Sequence, residues 1–70
     1  LIRPLSAMHI GEDGTLQTMV MAPSQNVTME SVGLRIGVTI TKDENGFVLE
    51  DGSRLELDAD FAAQLLFRPV

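Results

Sequence analysis

The sequence predicts a mainly β domain, a small antiparallel meander or barrel of about five strands with a short C-terminal helix. Three observations carry this. Val32, Leu34, Ile36, Val38 and Ile40 alternate with Gly33, Arg35, Gly37, Thr39 and Thr41, which is the period of a strand. Tight-turn residues recur as Glu12-Asp13-Gly14 and Glu50-Asp51-Gly52, where Asp and Gly supply local hydrogen bonding and positive φ. Asp58 then stands before Ala59 to Phe67 as an N-cap before a run with apolar residues at helical spacing.

Taken in order, the first expected strands are Leu5 to Ile10 and Leu16 to Met21, joined at Glu12-Asp13-Gly14 with Ile10 opposite Leu16. Met8, Ile10, Leu16 and Val20 share one face of this hairpin. Leu5, Ala7, Met19 and Met21 share the other, so both faces need covering, by the C-terminal helix, by the middle segment or by a second subunit. Pro23 to Ser31 is a connection that reads equally as a short strand or as one helical turn ending at Gly33. Val32 to Thr41 is the strand with the strongest alternation. It pairs with Phe47 to Glu50 by setting Ile40 opposite Phe47 and Val38 opposite Leu49.

The next register can be derived, because a slip of one residue moves a strand's side chains to the opposite face. A two-residue Asp51-Gly52 loop sets Leu49 opposite Arg54. A three-residue loop, Glu50-Asp51-Gly52, sets Phe47 opposite Leu55 and brings Phe47, Leu49, Leu55 and Leu57 to one face, with Gly52 in the left-handed position such a loop requires. The longer loop is therefore expected, with the last strand at Arg54 to Leu57. The helix Ala59 to Phe67 is too short to hold by itself in water and must pack on the sheet.

Seventy residues give one small domain, 1–70, that buries about 60% of the surface its unfolded chain exposes. There is no cysteine and one histidine, so neither disulfides nor a Cys/His zinc site staples the fold. A chain beginning Leu1-Ile2-Arg3 lacks an initiator methionine and reads as a fragment of a longer protein, a processed product or a chain whose first residues are absent. Ten carboxylates against five Lys and Arg give a net charge of −5, which repels phosphate backbones and disfavours nucleic acid as a partner. No apolar run approaches the roughly 20 residues of a membrane span. A soluble, acidic, cytoplasmic domain is expected.

The catalytic inventory is sparse. His9 is the only imidazole, the side-chain type best suited to proton transfer near neutral pH, and no Ser or Thr lies in a nucleophile-elbow pattern. Asp43-Glu44-Asn45-Gly46 has the oxygen-rich start of a calcium loop without its spacing or closing glutamate. Glu56, Asp58 and Asp60 are explained by a solvated strand face and a helix cap. No cofactor, metal or catalytic residue is assigned. Asn26-Val27-Thr28 matches a glycosylation sequon, which carries weight only in a secretory pathway.

The candidate interface residues are Leu5, Ala7, Met19, Met21, Gly33, Arg35 and Gly37. Methionines are compliant and recur at binding surfaces. Glycines inside a strand mark a bulge or the close approach of another backbone, with Arg35 between them as an anchor. The expected function is thus a non-enzymatic module for self-association or for binding a protein partner.

The stretch Ser31-Val32-Gly33-Leu34-Arg35-Ile36-Gly37-Val38-Thr39-Ile40, followed by Asn45-Gly46-Phe47-Val48-Leu49, resembles a segment of the AbrB-type swapped-hairpin domains. That resemblance implies a dimeric DNA-binding transcriptional regulator, the second reading. An enzyme or accessory subunit whose site lies outside this chain is the third.

Overall fold

The computed structural model describes residues 1–70. Six strands form one open antiparallel sheet in the order β1-β6-β2-β3-β4-β5. They are β1 (Arg3–Pro4), β2 (Asp13–Met19), β3 (Thr39–Asp43), β4 (Gly46–Leu49), β5 (Arg54–Leu55) and β6 (Leu65–Pro69). A 3-10 turn, Leu5–Ala7, follows β1. Helix α1 (Pro23–Ser31) links β2 to β3, and α2 (Ala59–Gln64) runs directly into β6. The class is mainly β and antiparallel with a short helix near the C-terminus, as expected from the sequence.

The β4–β5 hairpin has the derived register. Phe47 stands opposite Leu55 and Val48 opposite Arg54. The Leu49 amide donates to the Ser53 carbonyl at 2.9 Å, leaving Glu50-Asp51-Gly52 as the loop, with Gly52 at φ +85°. Asp51 Oδ1 accepts from the Ser53 amide and hydroxyl, the local bonding for which Asp is selected in turns. The β3–β4 register differs from expectation by two residues, with Ile40 opposite Leu49 and Lys42 opposite Phe47. The loop shortens to Glu44-Asn45, closed by Asp43 Oδ1 accepting the Asn45 amide at 2.9 Å. A shift of two preserves the faces, so Ile40, Phe47 and Leu49 still enter the core.

The N-terminal hairpin does not form. Leu5 to Ile10 is a 3-10 turn and a bend rather than a strand, and the reversal lies at His9-Ile10-Gly11-Glu12, with the Glu12 amide bonded to the His9 carbonyl at 3.0 Å and Gly11 at φ +87°. Gly14 lies inside β2, which ends at Met19. The strand pairs with β3 and β6 instead of with the N-terminal segment. Its glycine answers a packing need: a Cβ at Gly14 would collide with the Phe67 ring.

The C-terminal helix is also shorter than expected. It ends at Gln64, because Leu65 and Phe67 alternate into the core as a strand inserted between β1 and β2. Both are completely buried. Asp58 caps α2 as expected, Oδ1 accepting the Phe61 amide at 2.8 Å. Strand β5 stops at Leu55 rather than at the expected Leu57.

Two ion pairs hold the rim. Arg3 bonds Glu12, donates to the Ala7 carbonyl and lies 4.9 Å from the Phe67 ring centre, which fixes the edge strand β1 over the core. Arg54 bonds Asp43 across the intervening β4. Three carboxyls are held below their ordinary values. The His9 amide and then Arg3 do this for Glu12, Arg54 and then the Asn45 amide for Asp43, and the Ser53 hydroxyl and amide for Asp51.

Each of these groups takes up its proton at a lower pH in the folded chain than in the unfolded one. Their stabilisation is therefore complete above the ordinary carboxylate range, near pH 4, and is lost as the pH falls through the lowered values. Thermal melts followed by circular dichroism should give the same midpoint at pH 7 and pH 5, and a fall below about pH 4. The double variant Glu12→Gln, Asp43→Asn should lower the neutral midpoint slightly and flatten the acid limb. A midpoint that rises on acidification would reverse the sign.

Candidate functional site

The candidate site forms where α1 returns to the sheet. Helix α1 starts with Pro23 in its first turn and Gln25 Oε1 accepting the Ala22 amide at 3.2 Å. Met29 is its one buried residue. The helix stops at a Schellman closure: the Gly33 amide bonds the Glu30 carbonyl and the Leu34 amide bonds the Met29 carbonyl, both at 3.0 Å. Gly33 takes φ +95°, and the residue beyond it is apolar, as the motif favours. Leu34 is fully buried.

From that plug the chain turns sharply through Arg35-Ile36-Gly37-Val38. The Val38 amide bonds the Arg35 carbonyl at 3.0 Å, and Gly37 at φ +93° occupies the third position of a type II turn, which requires positive φ. Leu16 clamps the turn from β2, its carbonyl accepting the Gly37 amide at 2.8 Å and its amide donating to the Val38 carbonyl at 2.9 Å. Val32 to Val38 is thus a helix end and a turn rather than a strand, and β3 begins only at Thr39. Alternation fails here because Leu34 alone is buried, whereas Ile36 is 56% exposed.

The turn and the β4–β5 loop wall a shallow cleft of about 150 Å³ lined by Gly33, Arg35, Val38, Leu49, Glu50 and Asp51. It continues into a neighbouring hollow of about 240 Å³ beside Ile36 and Gly37. Glu50 Oε1 accepts the Thr39 amide at 2.8 Å, which ties the loop to β3. Asp51 is occupied by Ser53. The Arg35 guanidinium forms no ion pair, both salt bridges of the chain lying elsewhere. The cleft therefore offers an unpaired cation beside exposed Ile36 on a backbone fixed at both ends. This combination suits protein docking, where arginine recurs among the few residues that carry most of the contact energy.

Of the residues singled out in the sequence, Gly33, Arg35 and Gly37 come together at this turn. Leu5 is elsewhere and fully buried. Met19 and Met21 are half-buried against the core, Met19 opposite Leu65 of β6, and Ala7 is exposed at the end of the 3-10 turn. The hairpin does not form, so its expected second apolar face is dispersed: Leu5 enters the core, Met19 and Met21 pack at its margin, and Ala7 stays exposed. Ile36, which alternation places on the apolar face of a strand, lines the neighbouring hollow, and Glu50, expected in the turn, lines both.

The His9 imidazole takes part in no side-chain hydrogen bond, although its backbone amide donates to Glu12 Oε1 at 3.0 Å. No three His, Asp or Glu side chains converge as a metal-binding group. Asp43 is taken up by Asn45 and Arg54. In the stretch resembling the AbrB segment, residues 31–38 form the end of α1 and the type II turn, whereas Thr39-Ile40 and Phe47-Val48-Leu49 lie in the paired strands β3 and β4. No helix is long and apolar enough to cross a membrane.

Comparison with known proteins adds a structural relation. No protein-family model matches the sequence, and no curated protein matches it. Among solved structures, the crystal structure of an iron uptake regulatory protein, FeoA, superposes with a TM-score of 0.88 over 100% of this chain and 99% of that chain, at 24% sequence identity. The chain has the fold of FeoA. It is an SH3-like small β fold, and the match runs from end to end. The FeoA fold accounts for the features hardest to read from sequence alone, because the superposition includes the helix after β2 and the C-terminal strand between β1 and β2.

Proposed function

We propose that this chain is a non-enzymatic regulatory module of an iron-uptake system, acting by docking a protein component of that system at the Arg35 cleft. The end-to-end superposition on FeoA, a protein described as an iron uptake regulator, is the observation that supports this reading. The cleft supports the docking surface. It presents an unpaired guanidinium and an exposed isoleucine on a clamped turn.

The test is iron-55 accumulation in source cells lacking the chain, complemented with wild type, Arg35→Glu or Ile36→Asp. Deletion should lower iron uptake, wild type should restore it, and the two cleft variants should fail to restore it while keeping the wild-type circular dichroism spectrum. Arg68→Glu, on the exposed side of β6, should restore it. Uptake indifferent to deletion would end the iron-uptake reading. Full complementation by both cleft variants would move the docking surface elsewhere.

A further inference from the structure

A second hollow lies at the opposite end of the β3–β4 hairpin from the Arg35 cleft. Its volume is about 220 Å³, and Leu5, Phe47, Leu57, Ala59 and Ala62 make its apolar wall. Lys42 and Ser6 provide the polar groups. Lys42 is half-buried, its ammonium lies 4.7 Å from the centre of the Phe47 ring, and it joins neither ion pair of the chain. In a protein with twice as many carboxylates as cations, a cation held against an apolar wall without a carboxylate partner points to an anion supplied from outside.

Size narrows the ligand. An apolar cavity of about 150 Å³ accepts benzene, so a hollow of about 220 Å³ takes one leucine- or phenylalanine-sized side chain. It falls short of the roughly 300 Å³ at which drug-sized ligand pockets begin. A side chain with a carboxylate on the same Cα is the last residue of a polypeptide. We infer that this hollow binds the C-terminus of a partner polypeptide, its apolar last side chain against Leu5, Phe47 and Leu57 and its α-carboxylate on Lys42, a mode of terminal-carboxylate capture. The site is separate from the Arg35 cleft and does not depend on it.

The experiment is a proton–nitrogen correlation NMR titration of the full chain with the pentapeptide Gly-Ser-Gly-Ser-Leu. It is repeated with the same peptide as its C-terminal amide and with 4-methylpentanoate. The free-acid peptide should shift the amides of Ser6, Lys42 and Leu57, with weaker binding as salt is raised. Amidation, or Lys42→Met, should weaken binding about fivefold, the loss of one partly exposed ion pair. Ala59→Phe fills the hollow from an exposed helix position and should abolish binding while the spectrum stays dispersed, which keeps the test independent of folding. Equal affinity of acid and amide, shifts centred on Arg35 and Glu50, no binding at millimolar peptide, or binding of 4-methylpentanoate as tight as the peptide would each overturn the assignment.

Discussion

Phe67→Ala is expected to remove about 3–5 kcal/mol of stability. Phe67 is fully buried in β6, the strand that joins β1 to β2, and its ring also lies under the Arg3 guanidinium. Truncating a buried phenylalanine costs about 3–5 kcal/mol, whereas 70 residues at about 0.05–0.15 kcal/mol each give a total stability of about 3.5–10 kcal/mol. The loss therefore consumes much or all of what holds the fold. Urea titration should show a large drop in midpoint. Phe61→Ala, at a half-buried position on α2, should cost less, and Val27→Ala, at an exposed position on α1, should stay within about 0.5 kcal/mol of wild type. A smaller loss for Phe67→Ala than for Phe61→Ala would remove β6 from the centre of the stability argument.

That central strand is also where the sequence was least legible, for a physical reason. Leu65-Leu66-Phe67 is an apolar run with no clean alternation, following a real N-cap at Asp58, so helix periodicity could be extended through it. Its strand conformation depends on β2, about fifty residues earlier in the chain, and on β1, more than sixty residues earlier, and tertiary pairing of that range overrides local preference. The β4–β5 hairpin is the opposite case. Its loop, its glycine and its faces are all set within nine residues, Phe47 to Leu55, and each constraint selects the same register.

The candidate site was legible in part. Gly33 and Gly37, four apart around Arg35, stood out as places where the backbone does something a strand does not. Period-two alternation nevertheless predicts a strand running through both glycines. The structure assigns the two glycines separate tasks, one closing α1 and the other turning the chain, both at positive φ. Leu34 enters the core between them while Ile36 is released to solvent. A signal for this was present: Met29 and Leu34 are spaced as the apolar pair that accompanies a Schellman closure. Glu50 could not have been assigned to the cleft from sequence, because its contact with the Thr39 amide follows from the β3–β4 register, which came out shifted by two.

Gly14→Ala carries the second large expectation, and it separates two reasons for a glycine. Gly14 is buried in β2 and its φ is not positive, so alanine meets no backbone strain. The obstacle is steric: the new Cβ would overlap the Phe67 ring and stand 3.0 Å from Met8 Cε. Met8 can yield, but the buried ring cannot move without displacing β6. Overpacking of this kind costs about 1–3 kcal/mol, and Gly14→Val should exceed that range. Gly11 provides the contrast, with φ +87° and nothing within 4 Å of a built Cβ; Gly11→Ala should cost about 1–2 kcal/mol from the left-handed conformation alone. A double-mutant cycle with Phe67→Leu distinguishes the two. Removing the ring edge should recover part of the Gly14→Ala loss, a coupling of about 1 kcal/mol or more for groups in contact, and none of the Gly11→Ala loss. Equal non-zero coupling at both glycines would mean that Phe67→Leu relaxes the fold as a whole, and zero coupling at Gly14 would mean that its missing side chain makes no room for Phe67.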